Sequence, residues 1–332
     1  MIAPGFWARE RPGLAALALK PLGALYGRAT ARRMARRGAR VEAAVVCVGN
    51  FVLGGAGKTP TAIAVARLLQ GAGERVAFLS RGHGRAARQE PIEVDAAIHD
   101  ARAVGDEPLL LARVAPCFVG ADRVAAARAA IARGASALVL DDGLQNPSLA
   151  KDFAFAVVDG EARFGNGLCF PAGPLRAPPA MQLPFVSAEV AIGGAADAFA
   201  ALRALAPEKP VFRARLEADA IVGAKIVGRP VIAFAGIARP EKFFATLEAL
   251  GARVAARRRF ADHHPYAPHE IAALLAEASA RDLIPVTTEK DHVRLPPALR
   301  GAILALPVTL RFETPERVAA LLREALAARR GR

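Results

Sequence analysis

At 332 residues with 53% hydrophobic content, the chain exceeds the roughly 100–200 residues of one domain and carries enough apolar material for two cores, which argues against disorder. The three cysteines, Cys47, Cys117 and Cys169, are far apart and odd in number, which argues against a disulfide framework or a zinc site and fits a reducing cytosol. A formal net charge of +14 directs attention to anionic partners: nucleic acid, a membrane surface or an anionic substrate.

Residues 1–40 hold Arg9, Arg11, Lys20, Arg28, Arg32, Arg33, Arg36, Arg37 and Arg40 against the single acid Glu10, so more than half of the excess charge sits at one end. The same segment carries Phe6, Trp7, Leu14, Leu17, Leu19, Leu22, Leu25 and Tyr26 ahead of the arginine run. An apolar, aromatic helix followed by basic residues predicts association with an anionic membrane surface. A basic helix packed on its own protein would share this composition. Lys20 and Pro21 interrupt the segment before it reaches the ~20 apolar residues of a spanning helix, and it lacks the order of a signal peptide. Aromatics make up only 6% of the chain, so stacking platforms are scarce and no nucleic-acid partner is expected.

Over residues 41–210 short apolar runs alternate with helical patterns, the signature of a parallel α/β domain. The run 43–48 predicts the first strand, which leads through a glycine loop into a helix over about 58–70, followed by a strand at 75–79. Helices are expected at 107–114 and 123–133, then a buried strand at 137–140 that ends on Asp141 and Asp142. Further strands are expected at 154–158 and 186–191. Residues 165–184 are rich in Gly and Pro and predict an ordered surface loop. The polar, alternating stretch 211–228 predicts a β linker. A second α/β domain over 229–332 follows, with a strand at 231–235, helices near 240–250 and 267–280, a strand at 284–288 and a closing helix near 315–330.

The chemistry begins at Gly54-Gly55-Ala56-Gly57-Lys58-Thr59, between the first strand and its helix. Backbone N–H groups of such a loop close around phosphates, the lysine reaches the β/γ-phosphates and the hydroxyl binds Mg²⁺. A strict phosphate loop would have glycine where Val52 stands; the earlier glycine is Gly49, which predicts a variant loop longer on its N-terminal side. Asp141 and Asp142, at the end of a neighbouring strand, are the expected second element for Mg²⁺. Gly105-Asp106-Glu107-Pro108 and Ala261-Asp262-His263-His264-Pro265 offer acids and a histidine that could take a hydroxyl proton. A helix cap and a solvated turn are the plainer readings of these two segments. Arg81, Arg85, Arg123 and Arg176 lie near expected strand ends and are candidate anion clamps. A membrane-associated ATPase or GTPase switch uses a similar loop. Against it, Leu53 stands in place of the switch family's second lysine, and the adjacent Lys290 and Asp291 fail the Asn-Lys-x-Asp spacing that reads guanine.

Taken in order, these segments resemble the lipid A 4′-kinase family, also called tetraacyldisaccharide 4′-kinase. The resemblance runs along nearly the whole chain. Besides the phosphate loop it rests on Val48-Gly49-Asn50, Ser80-Arg81-Gly82, Gly105-Asp106-Glu107-Pro108, Asp141-Asp142-Gly143-Leu144-Gln145, Arg163-Phe164-Gly165-Asn166-Gly167, Pro171-Ala172-Gly173-Pro174, Ala261-Asp262-His263 and Thr288-Glu289-Lys290-Asp291. It implies an α/β fold: a P-loop NTPase-like α/β/α domain and a second, smaller α/β domain joined by a short β linker, with ATP and Mg²⁺ in the cleft. It implies transfer of the ATP γ-phosphate to the 4′-hydroxyl of a tetraacylated glucosamine disaccharide 1-phosphate, at the cytoplasmic face of the bacterial inner membrane. Carried over by position, Lys58 and Thr59 hold phosphates and Mg²⁺, Asp141 and Asp142 form the second acidic element, and Asp106 with His263 matches the family's base and its partner. Glu107 becomes a metal or substrate contact. The chain departs from the family pattern at His83, Asn146, Ala177 and Ala238-Arg239. His83 and Asn146, with Arg81, Arg123 and Arg176, are the expected substrate contacts.

Overall fold

The protein is described from a computed structural model, which covers residues 4–9, 11–82 and 90–331. Among these residues one sheet is built from β1 (Ala44–Asn50), β2 (Val76–Ser80), β3 (Ile92–Glu93), β4 (Cys117–Val119), β5 (Ala137–Asp141), β6 (Phe153–Asp159), β7 (Ala188–Ile192) and β8 (Val211–Ala218). A second contains β9 (Pro230–Ala235), β10 (Arg253–Arg259), β11 (Ile284–Thr288) and β12 (Leu304–Leu306). The chain then returns, and β13 (Val308–Phe312) completes the first sheet in the order β13-β8-β7-β6-β1-β5-β2-β4-β3.

All seven residues of β1 are buried, as expected of a central parallel strand covered on both faces. It lies parallel between β5 and β6. From β1 the chain runs to β2 on one side, and from β5 it crosses to β6 on the other, so a topological switch point opens at the carboxyl end of β1, where open α/β sheets bind ligands. One face of this sheet packs around Val46, Val48, Phe78, Phe155 and Val190, the other around Cys47, Leu79, Leu138, Leu140 and Ala156. Each fully buried large aliphatic or phenyl side chain contributes about 1.5–3 kcal/mol.

The second sheet is parallel, in the order β10-β9-β11-β12. Its edge strand β10 is not anticipated by the sequence, because arginines at 253, 257, 258 and 259 mask its period. These arginines are exposed. Arg258 pairs with Glu277 at 2.6 Å, and a charged edge resists pairing with foreign strands.

The expected boundaries differ from the observed architecture in two places. The 211–228 segment is no free linker, since β8 is hydrogen-bonded into the first sheet beside β7. The expected 229–332 domain ends at β12. β13 pairs antiparallel with β8, and Leu310 and Phe312 enter the first core. The helix Pro315–Arg330 follows them, burying Val318, Leu322 and Leu326 at i, i+4 and i+8 in that same core. Apolar spacing, which sequence position alone does not reveal, decides this.

The N-terminal helix Leu14–Met34 has two distinct faces. Ala16, Gly23, Gly27, Thr30 and Met34 are buried, whereas Leu14, Leu17, Leu22 and Leu25 are exposed on the other side. Close approach explains the small residues: a Cβ at Gly23 would lie 2.6 Å from the Cys169 carbonyl oxygen. Trp7, expected on the membrane-facing side, is instead buried, donates Nε1–H to the Pro171 carbonyl at 3.1 Å and meets the Phe170 ring edge-on. No helix among the described residues is long and apolar enough to cross a membrane.

Candidate active site

The loop after β1 is pinned at its base before it reaches the glycines. Leu53 N donates to Pro174 O at 2.7 Å, Arg176 N to Phe51 O at 2.9 Å, and Arg176 Nε to Val52 O at 3.0 Å. Beneath it, Gln145 Nε2 donates to Asn50 O at 2.7 Å and to Gln182 Oε1 at 2.8 Å. Val52 therefore belongs to a short backbone pairing with the 174–176 segment. Gly49, expected to begin the loop, lies within β1; a Cβ there would come within 2.4 Å of Leu144 Cβ, so its role is close packing.

At the other end, Gly57 holds φ 83°, a left-handed conformation that favours glycine, and the helix Lys58–Gly71 begins immediately after it. Lys58 Nζ folds back to Gly54 O at 3.2 Å and lies 3.9 Å from Asp142 Oδ1. Burial lowers the Lys58 pKa, and the facing Asp142 carboxylate opposes that shift. Thr59 Oγ1 donates to Asp141 Oδ2 at 2.9 Å, so the two expected Mg²⁺ elements meet. Asp141 Oδ1 is buried without a hydrogen-bond partner among the described residues. Burial, with Glu107 nearby, pushes its carboxyl up to about 7. An orphaned carboxylate oxygen beside a hydroxyl is an all-oxygen donor set that suits a hard divalent cation. Asp142 behaves differently: burial would raise it, but Lys58 and Arg176 hold it below its ordinary value, and Arg176 Nη2 pairs with it at 2.8 Å.

Arg123 is 2% exposed and begins the helix Arg123–Ala132. Its Nη1 donates to Gly120 O at 2.9 Å, while Nε has no hydrogen-bond partner among the described residues. Burial first, and then the nearby Arg81, push its pKa down to about 10. Lys58, Arg81, Arg123 and Arg176 thus gather cationic groups near the paired acids. Asn146 does not join them: its Oδ1 accepts from Ser148 N and Oγ at 2.8 and 2.6 Å in a local turn. His83 and Arg85 lie outside the described residues.

Gly105, at φ 96°, ends one short helix and starts the next at Asp106. The turn buries Asp106 to 3% exposure. Its Oδ1 accepts Glu107 N–H at 3.0 Å, and its Oδ2 lies 2.9 Å from His263 Nδ1. His263 comes from the second domain, where φ 60° and an N–H to Gly236 O bond at 3.0 Å fix its turn. Arg294 Nε approaches the same Asp106 oxygen at 3.4 Å. Burial would raise the Asp106 pKa; hydrogen bonds from His263 and Glu107, with Lys290 nearby, hold it well below the carboxylate range. Glu107, expected to meet metal or substrate, pairs with Lys290 Nζ at 2.7 Å, and its carboxylate lies in one cluster with Asp106 and His263.

The two domains also meet at a second point, which sequence reasoning missed. Arg239 and Lys242 pair with Asp159 at 2.7 and 2.8 Å, and with Glu161 at 2.9 and 3.1 Å. Beside them, a Cβ at Gly55 of the phosphate loop would touch Ala238 Cβ at 3.6 Å. The departure at Ala238-Arg239 was the available signal, since a small residue next to an arginine suits close packing beside an acid.

Comparisons with known proteins bear on the chain as a whole. A family model described as tetraacyldisaccharide-1-P 4′-kinase matches residues 15–327. A tetraacyldisaccharide 4′-kinase of Methylobacterium sp. (strain 4-46) is 56% identical over 329 residues, covering 99% of this chain and 98% of that protein. One from Gluconacetobacter diazotrophicus is 49% identical over 315 residues, covering 95% of each. Among solved structures, LpxK from Aquifex aeolicus in complex with ATP matches with a TM-score of 0.72 at 23% identity, covering 94% of this chain and all of that one. This last likeness establishes the shared fold.

Proposed function

Because the chain belongs to the tetraacyldisaccharide-1-P 4′-kinase family, we propose that it transfers the γ-phosphate of ATP to the 4′-hydroxyl of a tetraacylated glucosamine disaccharide 1-phosphate. The observation that carries this reading is the convergence of two domains. The phosphate loop and its paired acids come from the first sheet, and the second sheet delivers His263 to Asp106 at 2.9 Å.

In this reading the N–H groups of residues 54–59 and the Lys58 ammonium hold the β- and γ-phosphates. Arg123 and Arg81 add positive charge where negative charge accumulates during transfer. Thr59 and Asp141 are the residues that would hold Mg²⁺, with Asp142 beside them; the ion would supply charge neutralisation of the phosphates. The Asp106–His263 pair takes the hydroxyl proton. His263, about a third exposed, is the member presented to the cleft, and Asp106 is its buried counter-charge. Both orient by mutual hydrogen bonding, as a base and its carboxylate partner do elsewhere.

The N-terminal helix supports a peripheral site at the cytoplasmic membrane face. It presents large leucines to the outside and small residues to its own protein, the reverse of a helix that seeks only an internal core. Arg28, Arg32, Arg33, Arg36 and Arg37 are exposed around its later turns, where anionic headgroups would meet them. An acylated acceptor would stay in the bilayer while its sugar enters the cleft.

The direct test supplies labelled ATP, Mg²⁺, detergent and the acylated disaccharide 1-phosphate to the full chain. Labelled lipid is the expected product. A folded protein that binds ATP yet labels no lipid overturns the proposal.

A further inference from the structure

The Thr288-Glu289-Lys290-Asp291 segment has no part in the reading above, yet it is where the second sheet meets the proton-accepting pair. Asp291 is fully buried. Its Oδ1 accepts from Gly236 N at 2.8 Å, Tyr266 Oη at 2.7 Å and Arg294 Nη2 at 2.7 Å, and its Oδ2 accepts from Thr288 Oγ1 at 2.6 Å. Four donors on one carboxylate fix the turn that follows β11. From that turn two side chains cross to the first domain. Glu289 reaches Arg113 at 3.1 Å, and Lys290 reaches Glu107 Oε1 at 2.7 Å.

The Lys290 ammonium lies centrally. Besides Glu107 it stands 3.9 Å from Asp106 Oδ2 and 3.5 Å from His263 Nε2. Asp106, Glu107 and His263 bring ligand atoms within 4.8 Å of one another, the spacing of a cation site, and Lys290 places a cation of the protein's own beside them. Two adjacent carboxylates at this separation repel, and an unopposed Glu107 would turn toward solvent.

We propose that Lys290 is a positioning residue: its ammonium crosses from the second domain and holds Glu107 and Asp106 in register with His263, so that the base is assembled only when the two domains dock. The residue acts through the acids. Its contribution therefore belongs to turnover and not to nucleotide affinity, which the phosphate loop supplies from the first sheet. This inference rests on the proposed phosphotransfer.

The test is a double-mutant cycle of Lys290→Met and Glu107→Gln in the full chain, read as kcat and as the KM for ATP. Each single variant is expected to lose roughly 10–100-fold in kcat, the usual effect of removing a supporting contact, with KM for ATP changed less than about 3-fold. The double variant should be no slower than the slower single one, and Lys290→Arg should recover much of the loss. Independent, multiplying losses would assign Lys290 to the substrate directly and overturn the proposal. So would unchanged kcat in Lys290→Met, or equal losses of kcat and nucleotide affinity in both Lys290→Met and Lys290→Gln. An unmutated chain that labels no lipid removes the phosphotransfer reading, whereas an active one indifferent to Lys290 removes this inference alone.

Discussion

His263 Nδ1 stands 2.9 Å from Asp106 Oδ2 although 157 positions and two separate sheets lie between them. Neither residue is a convincing base alone: Asp106 is closed to solvent and strongly acidic, and His263 sits in a turn. Together they form a hydrogen-bonded pair at the domain junction. Asp106→Asn should lower kcat by roughly 10²–10⁴-fold, the range of a lost general base. The Kd for ATP should move by less than about 3-fold, since Lys58 and the loop are untouched. Parallel loss in kcat and in calorimetrically measured ATP affinity would contradict the assignment.

Gly49 is held by packing. An alanine methyl would lie 2.4 Å from Leu144 Cβ and 3.0 Å from Leu144 N, a backbone atom with little room to yield. Gly49→Ala should destabilise the protein by about 1–3 kcal/mol, the cost of overpacking a tight core. It should also raise the KM for ATP, because Leu144 precedes Gln145, whose amide supports the loop base at Asn50. Urea denaturation and steady-state kinetics check both; an unchanged midpoint would place Leu144 farther away.

These two sites mark how much was legible in the sequence. The phosphate loop is local, since strand, glycines and helix follow one another, and its strand–loop–helix form is read directly from spacing. Read from the residues alone, Asp106 and His263 were legible only as types, and it was the family resemblance that made them partners, because pairing across two sheets depends on how the domains dock. Lys290 and Arg239 were harder. A lysine or arginine in a basic chain carries no periodic signal, and only the opposing acids, Glu107 and Asp159, give it a role. Asn146 adds a local feature that residue type does not reveal: its Oδ1 is engaged by Ser148 N and Oγ in a turn. The return of β13 and the last helix to the first core follows the same logic: the partner surface decides, and it lies far away in sequence.

Glu189 gives a pH-dependent prediction away from the active site. It is fully buried in β7, and neither carboxylate oxygen has a hydrogen-bond partner among the described residues. Burial pushes its carboxyl from 4.5 up to about 7. Between those values the folded protein holds a proton that the unfolded chain has released, so stability falls as pH rises through this window and the full cost is present above about 7. Glu189→Gln should therefore be more stable than the unmutated chain by roughly 2–3 kcal/mol at pH 8, with the advantage fading toward pH 4. Thermal melts at both pH values decide it; equal differences at the two ends would rule out titration of Glu189.

The exposed leucine face makes a separate claim. Replacing Leu14, Leu17, Leu22 and Leu25 together by Ser should lower partition onto anionic vesicles by more than ~100-fold, since each leucine carries on the order of 1.5–3 kcal/mol of transferable apolar surface. Activity toward detergent-dispersed acceptor should stay within about 3-fold, because these side chains point away from the protein. Unchanged sedimentation with vesicles would remove the anchor.

The pairing of β8 with β13 bears on how the two domains are held. The second sheet leaves the first through β8 and is rejoined through β13, and the two run antiparallel with registered partners from Ala218–Val308 to Ala214–Phe312. A single tether would let the smaller domain swivel freely. A hydrogen-bonded ribbon resists torsion more than one strand does, so it favours one orientation of the smaller domain against the larger. That one orientation is the one in which His263 meets Asp106 and Ala238 meets Gly55.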